Sequence, residues 1–385
     1  MATVTLSQAD SALKKYYLDA VKEQLDKKAG PFYTAISKNT NDVYGKNVVK
    51  LVQVGVNGGV AAGAEDGDLP TAGPNKYLEF TTPLKNLYGS IEISDKAIRA
   101  SKDNSGAVVN LLNAEMEGLV KSANYNFSRM LFGDGTGTLA TVVSASNSVV
   151  TVDSARNLEV GMLIDFNISG NTNYQGLKIT DVDKTANKIT IFGSTFTSDA
   201  VAKAKLTLHN TNGELTGLNA IFATSGSIYG VSKSNKYMVP YVESSVGALT
   251  EAKIQETIDT IELRSGSQIN MILCSFDTRR AIKKALEAKN VMMPAMELQG
   301  GYTAISYNGI PVVADRFCPQ GCIYFINTDD FELVQLCDWE WLQGENGEIL
   351  KQIPGKAIYT ATLVKYAELI CTRPSGQGLL QGVTG

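Results

Sequence analysis

One histidine and five cysteines bound the catalytic chemistry open to this chain. His209 would have to serve any Ser-His-Asp or Cys-His nucleophile system, and a zinc site built from several histidines is excluded outright. The residue closes the strand-like run Lys205-Leu206-Thr207-Leu208, where a partly exposed strand position is the plainer reading. Cys318-x-x-x-Cys322 is the one close cysteine pair. A structural zinc site needs a second pair or two histidines beside it, whereas Cys274, Cys337 and Cys371 are scattered. The odd count, with no signal-peptide pattern after Met1, leads to an expectation of reduced, buried thiols in a protein made and kept in a cytoplasm.

Three further motifs invite chemistry, and each has a simpler reading. Gly133-Asp134-Gly135-Thr136-Gly137 lacks the Gly-Lys-Ser/Thr of a phosphate loop and follows a helix, so it reads as an exit turn. Glu65-Asp66-Gly67-Asp68 gathers acids without the ligand ladder of an EF-hand. It reads as a solvated tip, or as an acidic patch that meets a basic patch on a neighbour. Asp181-x-Asp183, ahead of Lys184, is turn chemistry. No residue is assigned a catalytic role, and no cofactor or metal is assigned.

The elements that carry these residues tell more. Val48 to Val54 is β-branched and apolar, bounded by Gly45 and Gly55, and reads as a strand. A glycine-rich stretch through Gly58, Gly59, Gly63, Gly67, Pro70 and Gly73 leads to a return strand, Tyr77 to Thr82. A two-stranded ribbon is marginal in water because one face lacks cover. Either it folds back on its own domain, or another copy of the chain covers it. The contact candidates on this arm are Val52, Val54, Glu65, Asp66, Asp68, Leu69, Tyr77 and Phe80. Pro83 implies that the return strand bends or lies on an edge there.

Around the arm, positions 7 to 28 read as a helix, and a short helix follows Ser94 to about Ser101. From Ser105 to about Phe132, Leu112, Met116, Leu119, Ala123, Phe127 and Met130 form one apolar stripe on a helix of about 40 Å. Composition shifts near residue 139 to short Val/Thr/Ile-rich strands separated by turns, an all-β module (sandwich or barrel) that reads as an insertion. Helices and strands then alternate to 318, and strands dominate afterwards.

The 385 residues suffice for two or three domains, at 44% hydrophobic and 19% charged. Thirty-five basic against 39 acidic residues give a net charge of −4, without the basic stripe of a protein that grips nucleic acid. No run approaches the roughly 20 apolar residues that span a bilayer.

The order of parts resembles that of a tailed-bacteriophage major capsid protein of the Hong Kong 97 type. The resemblance is carried by Gly67-Asp68-Leu69-Pro70 in the loop, Lys85-Asn86-Leu87-Tyr88-Gly89-Ser90-Ile91-Glu92-Ile93-Ser94-Asp95-Lys96 on the return, and Leu131-Phe132-Gly133-Asp134-Gly135-Thr136-Gly137-Thr138 after the long helix. Gly309-Ile310-Pro311-Val312-Val313-Ala314-Asp315, Pro319-Gln320-Gly321-Cys322-Ile323-Tyr324 and Cys371-Thr372-Arg373-Pro374 continue it. It covers about residues 1–138 and 212–385. It implies an α+β Hong Kong 97-type fold: an N-terminal arm (1–44), an extended hairpin loop (45–93), a spine helix of a peripheral domain (94–138), a mainly axial domain (212–318), and peripheral strands with a C-terminal tail (319–385). The all-β insertion (139–211) lies outside it.

The resemblance implies self-assembly into hexamers and pentamers of an icosahedral head around double-stranded DNA, in a virion assembled in the host cytoplasm. A separate scaffolding protein and a portal are implied partners, with no membrane and no sequence-specific DNA contact. Lys50, Lys76 and Lys85 flank the loop, and some relatives cross-link Lys to Asn; lysines that protect a strand edge are the commoner case. Three other readings stay open: an encapsulin-like nanocompartment shell, a surface- or carbohydrate-binding β protein, and an enzyme whose site leaves no motif.

Overall fold

The computed structural model describes residues 30–63, 65–96, 107–168, 174–197, 201–287, 295–298, 302–344 and 347–384. The helix expected over 7–28, and most of the short one after Ser94, lie outside the described residues.

The first sheet is built around one 14-residue strand, Ile358–Cys371. Lys85–Ser94 pairs antiparallel with it, from Ser94↔Ile358 to Lys85↔Ala367. Phe331–Trp341 and Lys351–Gln352 also pair with it, and Ser37–Asn39 adds parallel to Phe331–Trp341. Leu87 and Ile91 are buried while Tyr88 and Glu92 are exposed, the period of two that a half-covered strand requires. Helix α1, Ala107–Met130, covers the buried face. A Cβ on Gly89 would stand 2.9 Å from Leu119 Cδ1, so a larger residue there would displace that side chain.

The apolar stripe of α1 holds it there. Met116, Val120 and Phe127 are buried, and Leu119, Ala123 and Met130 pack beside them. Phe127 meets Tyr33 edge-on at 5.2 Å and Trp339 at 6.4 Å. Each such side chain contributes about 1.5–3 kcal/mol on burial, so packing rather than propensity fixes the helix.

Val43–Tyr44, Asn47–Val54 and Lys76–Pro83 form a separate three-stranded sheet. Pro83 is where the chain leaves it: Asn47↔Pro83 is the last pair, and Lys85 already belongs to the first sheet. A residue without an N–H suits the end of a ladder.

The third assembly is a mixed sheet in the order Tyr241–Glu243, Gly378–Leu380, Ile323–Ile326, Met271–Cys274, Ile310–Ala314, Tyr302–Tyr307, Ala295–Leu298. Helices α2 (Glu251–Ser265) and α3 (Phe276–Glu287) pack on it through Ile254, Ile261, Ile282 and Leu286. Thr250 caps α2 by accepting from Lys253 N at 3.2 Å, and Gly266 ends it at φ +66°. Ile323–Ile326, grouped by the sequence with the strands after residue 319, and Gly378–Leu380, in the expected C-terminal tail, both pair within this sheet. Ile323-Tyr324-Phe325-Ile326 is buried at every position, which suits an interior strand covered on both faces.

The described strands between Ala140 and Leu208 form a small barrel. Ala140–Asn147, Lys205–Leu208, Leu163–Asn167, Leu177–Asp183, Lys188–Ile191 and Val149–Val152 pair in that order, and the last pairs back with the first. Closure removes exposed edges. Its interior is its own: Val150, Ile164, Ile179, Ile189, Leu158 and Leu206 are fully buried in a cluster separate from the other two. The two crossings into the barrel lie side by side, because Glu214 N donates to Gly135 O at 2.9 Å and Leu218 N to Leu131 O at 2.8 Å. A Cβ on Gly217 would lie 2.4 Å from Met130 O, so only glycine fits this junction. Arg129 and Glu214 seal it with two hydrogen bonds of 2.9 and 2.6 Å, both side chains buried.

Candidate assembly surface

The hairpin has a covered root and a bare tip. Along Asn47–Val54 and Lys76–Pro83, side chains alternate between faces. Val48 and Phe80, on one face, are fully buried by the chain's own body. The Phe80 ring lies 5.6 Å from that of Tyr229, and Thr81 N donates to Tyr229 O at 3.0 Å. Lys50 pairs with Glu332 and with Asp42. Val52 and Leu78 pack half-buried against the same core.

The eight contact candidates therefore divide. Phe80 and Val54 are buried within their own chain, and Val52 faces the same way, so the first two are withdrawn as contacts to a neighbour. The apolar pattern identified the strands but not which of their two faces the body covers. Tyr77 points to the opposite face and is 55% exposed. Glu65, Asp66, Asp68 and Leu69 are exposed on the loop beyond the strands.

Three exposed apolar residues were not among the candidates. Leu51 lies on the outer face with Tyr77, where parity alone would have found it. Val56 and Val60 are 94% and 87% exposed and Leu69 90%, as bare as side chains become. Apolar residues amid glycine and acids were the available signal. The loop is nevertheless a defined shape. Asn57 Nδ2 donates to Asn75 Oδ1 at 3.1 Å, and a Cβ on Gly73 would lie 2.9 Å from the Gly58 nitrogen. Its two halves thus touch backbone to backbone, which explains the glycines.

A basic surface also emerges that composition concealed. Arg279, Arg280, Lys283 and Lys284 are all exposed on α3, gathered by helical spacing, with Lys283 3.6 Å from Glu287.

The residues whose types could carry chemistry make local contacts. His209 Nδ1 bonds Asp165 Oδ1 at 2.8 Å, and Gly176 N donates to the same oxygen at 2.7 Å. Burial pushes the Cys318 thiol well above its ordinary value and that of Cys322 up to about 11, so neither offers a thiolate. Asp183 Oδ1 accepts from Thr185 N and Ala186 N, both at 2.9 Å, within its turn. Asp134 Oδ1 accepts from Thr136 N in the loop after α1. Among the described residues, no group of three or more His, Cys, Asp or Glu side chains is placed to hold a metal ion, and no helix is long and apolar enough to cross a membrane.

Comparison with known proteins adds the following. The family model described as SU10 major capsid protein matches residues 18–347. No curated protein matches. Among solved structures, the capsid asymmetric unit of cyanophage A-1(L) is similar with a TM-score of 0.52 at 13% identity, covering 93% of both chains. The capsid of the native GTA particle gives 0.49 at 10% identity, covering 92% of this chain and 90% of that one. The holo-SrpI encapsulin of Synechococcus elongatus PCC 7942 gives 0.47 at 11%, covering 93% and 89%.

Proposed function

Because this chain belongs to the SU10 major capsid protein family and is a shell protein of a phage head, we propose that its glycine-rich loop, residues 55–75, is the part by which each copy grips the next. Its fold is of the Hong Kong 97 type, and copies of the chain assemble into a shell. The observation that carries the proposal is the contrast along one hairpin: Val48 and Phe80 are fully buried at the root, while Val56, Val60 and Leu69 are bare at the tip. A root fastened to its own body aims the tip outward. Three apolar side chains left in water at the end of a shaped loop gain their burial from a neighbour. Glu65, Asp66 and Asp68 beside them give that contact a charge preference for a basic surface.

Contacts of this head-to-tail kind close into rings. The reading is therefore of hexamers and pentamers in an icosahedral head around double-stranded DNA. A separate scaffolding protein and a portal serve as assembly partners, and assembly takes place in the host cytoplasm. The chain has no reaction of its own in this scheme. Its net charge of −4 suits a wall that encloses phosphates without adsorbing them. The test is negative-stain microscopy with size-exclusion chromatography of the purified protein. Ring-shaped capsomers or closed shells are expected; a stable monomer at high concentration would overturn the proposal.

A further inference from the structure

A cavity of about 390 Å³ lies apart from the hairpin, walled by Pro31, Val120, Tyr125, Phe276, Asp315 and Phe317. Asp315 is only 3% exposed. Its Oδ1 accepts from Phe317 N at 2.8 Å, but among the described residues its Oδ2 has no partner, and neither has the buried hydroxyl oxygen of Tyr125. Oδ2 is turned toward Gly30, which also lines the cavity: a Cβ there would lie 2.6 Å from it. Leaving a buried acceptor unpaired costs about 1–3 kcal/mol, and more for a charged one.

Lys121 and Arg316 also line the cavity, and the neighbouring cations have carboxylate or carbonyl partners of their own, although the buried Arg156 Nε has none among the described residues. Arg316 pairs with Glu159, Lys121 lies 3.9 Å from Glu117, and Arg156 Nη1 donates to Cys318 O at 2.7 Å. The rings at the cavity already attract positive charge at its rim, where the Arg316 guanidinium stands 5.1 Å from the Tyr125 ring and 5.6 Å from that of Phe317. A second guanidinium fits poorly inside, because its planar fork wants two free oxygens and Oδ1 is taken. An anion meets a carboxylate. An ammonium is compact, offers three donors and accepts nothing, which matches one lone carboxylate oxygen and one hydroxyl in a lining that is apolar along Pro31, Val120 and Phe276 and polar at Asn124 and Ser128.

We propose that this cavity binds a primary alkylammonium group, donating to Asp315 Oδ2 and the Tyr125 hydroxyl with its methylenes against Val120 and Phe276. Burial lifts the Asp315 carboxyl to about 6, so it is mostly ionised at neutral pH and gains from a bound cation. The group could belong to a free aliphatic diamine or to a lysine side chain, and the test separates them.

The intact protein is titrated calorimetrically with 1,4-diaminobutane and, as the uncharged control, with 1-butanol. If the source is a free diamine, it binds saturably, butanol does not, and Asp315→Asn weakens binding by about tenfold or more. Tyr125→Phe weakens it less. If the source is a lysine, mass spectrometry after brief acetylation finds one lysine protected in the parent protein, reacting about tenfold faster in Asp315→Asn. An unchanged melting profile certifies the near-isosteric variant as folded; should it unfold, Tyr125→Phe carries both readouts. The proposal is overturned if diamine binding is absent or indifferent to these substitutions and no lysine changes its reactivity.

Discussion

Phe80 rests on Tyr229 with ring centroids 5.6 Å apart, and the Tyr229 hydroxyl donates to Leu369 O at 2.9 Å while accepting from Cys371 N at 3.2 Å. One tyrosine thus ties the root of the hairpin to the central strand of the first sheet. Tyr229 holds φ +53°, a conformation few non-glycine residues adopt, held between the Phe80 ring contact, the bond from Thr81 N to its carbonyl and the two bonds of its hydroxyl.

Tyr229→Phe keeps the ring contact and removes the hydroxyl, leaving Leu369 O and Cys371 N without that partner inside the protein. The expected loss is about 1–3 kcal/mol, and Phe80→Ala should cost about 3–5 kcal/mol by opening a cavity. Urea unfolding of the unassembled protein measures both. Midpoints equal to the parent's would mean that the hairpin root is held by something other than this pair.

The tip should behave in the opposite way. Replacing Val56, Val60 and Leu69 together with serine removes no buried contact of the chain itself, so stability should stay within about 0.5 kcal/mol of the parent. Assembly should fail or give fragile particles, seen by microscopy and by dissociation on dilution. Deleting residues 56–75 should do the same. Normal, robust shells from either variant would remove the role given to the loop.

Much of this was legible because it depends on local pattern. The strand read at 48–54 is Asn47–Val54, and the stripe ending at Met130 marks the last residue of α1. What sequence could not supply was which face a body covers. Phe80 and Leu69 look equally apolar in the chain, yet one is fully buried and the other 90% exposed, a difference made by Tyr229, more than a hundred residues away. The membership of Ile323–Ile326 was hidden for the same reason, since an apolar run fits the middle of either sheet until its partners are known. The basic face on α3 escaped a reading that weighed net charge, because clustering is geometric.

Excising residues 141–209 with a short linker should leave the remaining fold intact. The barrel has its own core, its crossings are adjacent through Glu214 and Gly135, and the Arg129–Glu214 pair lies outside the cut. The contacts forfeited include Arg156 to Cys318 O and Glu159 to Arg316, with the bonds of Leu139 N to Leu206 O, Thr211 N to Leu208 O and Asn210 N to Asp165 Oδ2 at the cut itself. Cooperative melting should persist, whereas loss of a cooperative transition would show that the barrel and body fold as one unit. Within the shortened protein, Glu214→Gln should still cost about 3–5 kcal/mol, because it strands Arg129 as a buried unpaired charge.

Glu368 supplies a pH test that runs against ordinary acid denaturation. It is fully buried in the strand Ile358–Cys371 and accepts from Thr216 N at 2.7 Å and Leu369 N at 3.0 Å. Burial lifts its carboxyl to about 7, outweighing the Thr216 N–H and the Lys85 charge, which pull it down. Because the folded value exceeds the unfolded one of 4.5, the folded state binds more protons between them. This group's contribution is therefore full below the unfolded value and is lost as pH rises through about 7. Glu368→Gln keeps the carbonyl acceptor and cannot ionise. Its stability relative to the parent should accordingly be about 2–3 kcal/mol more favourable at about pH 8 than at about pH 5. Denaturant unfolding at the two pH values gives the difference directly. A constant offset between variant and parent would mean that the carboxyl does not change protonation across that window.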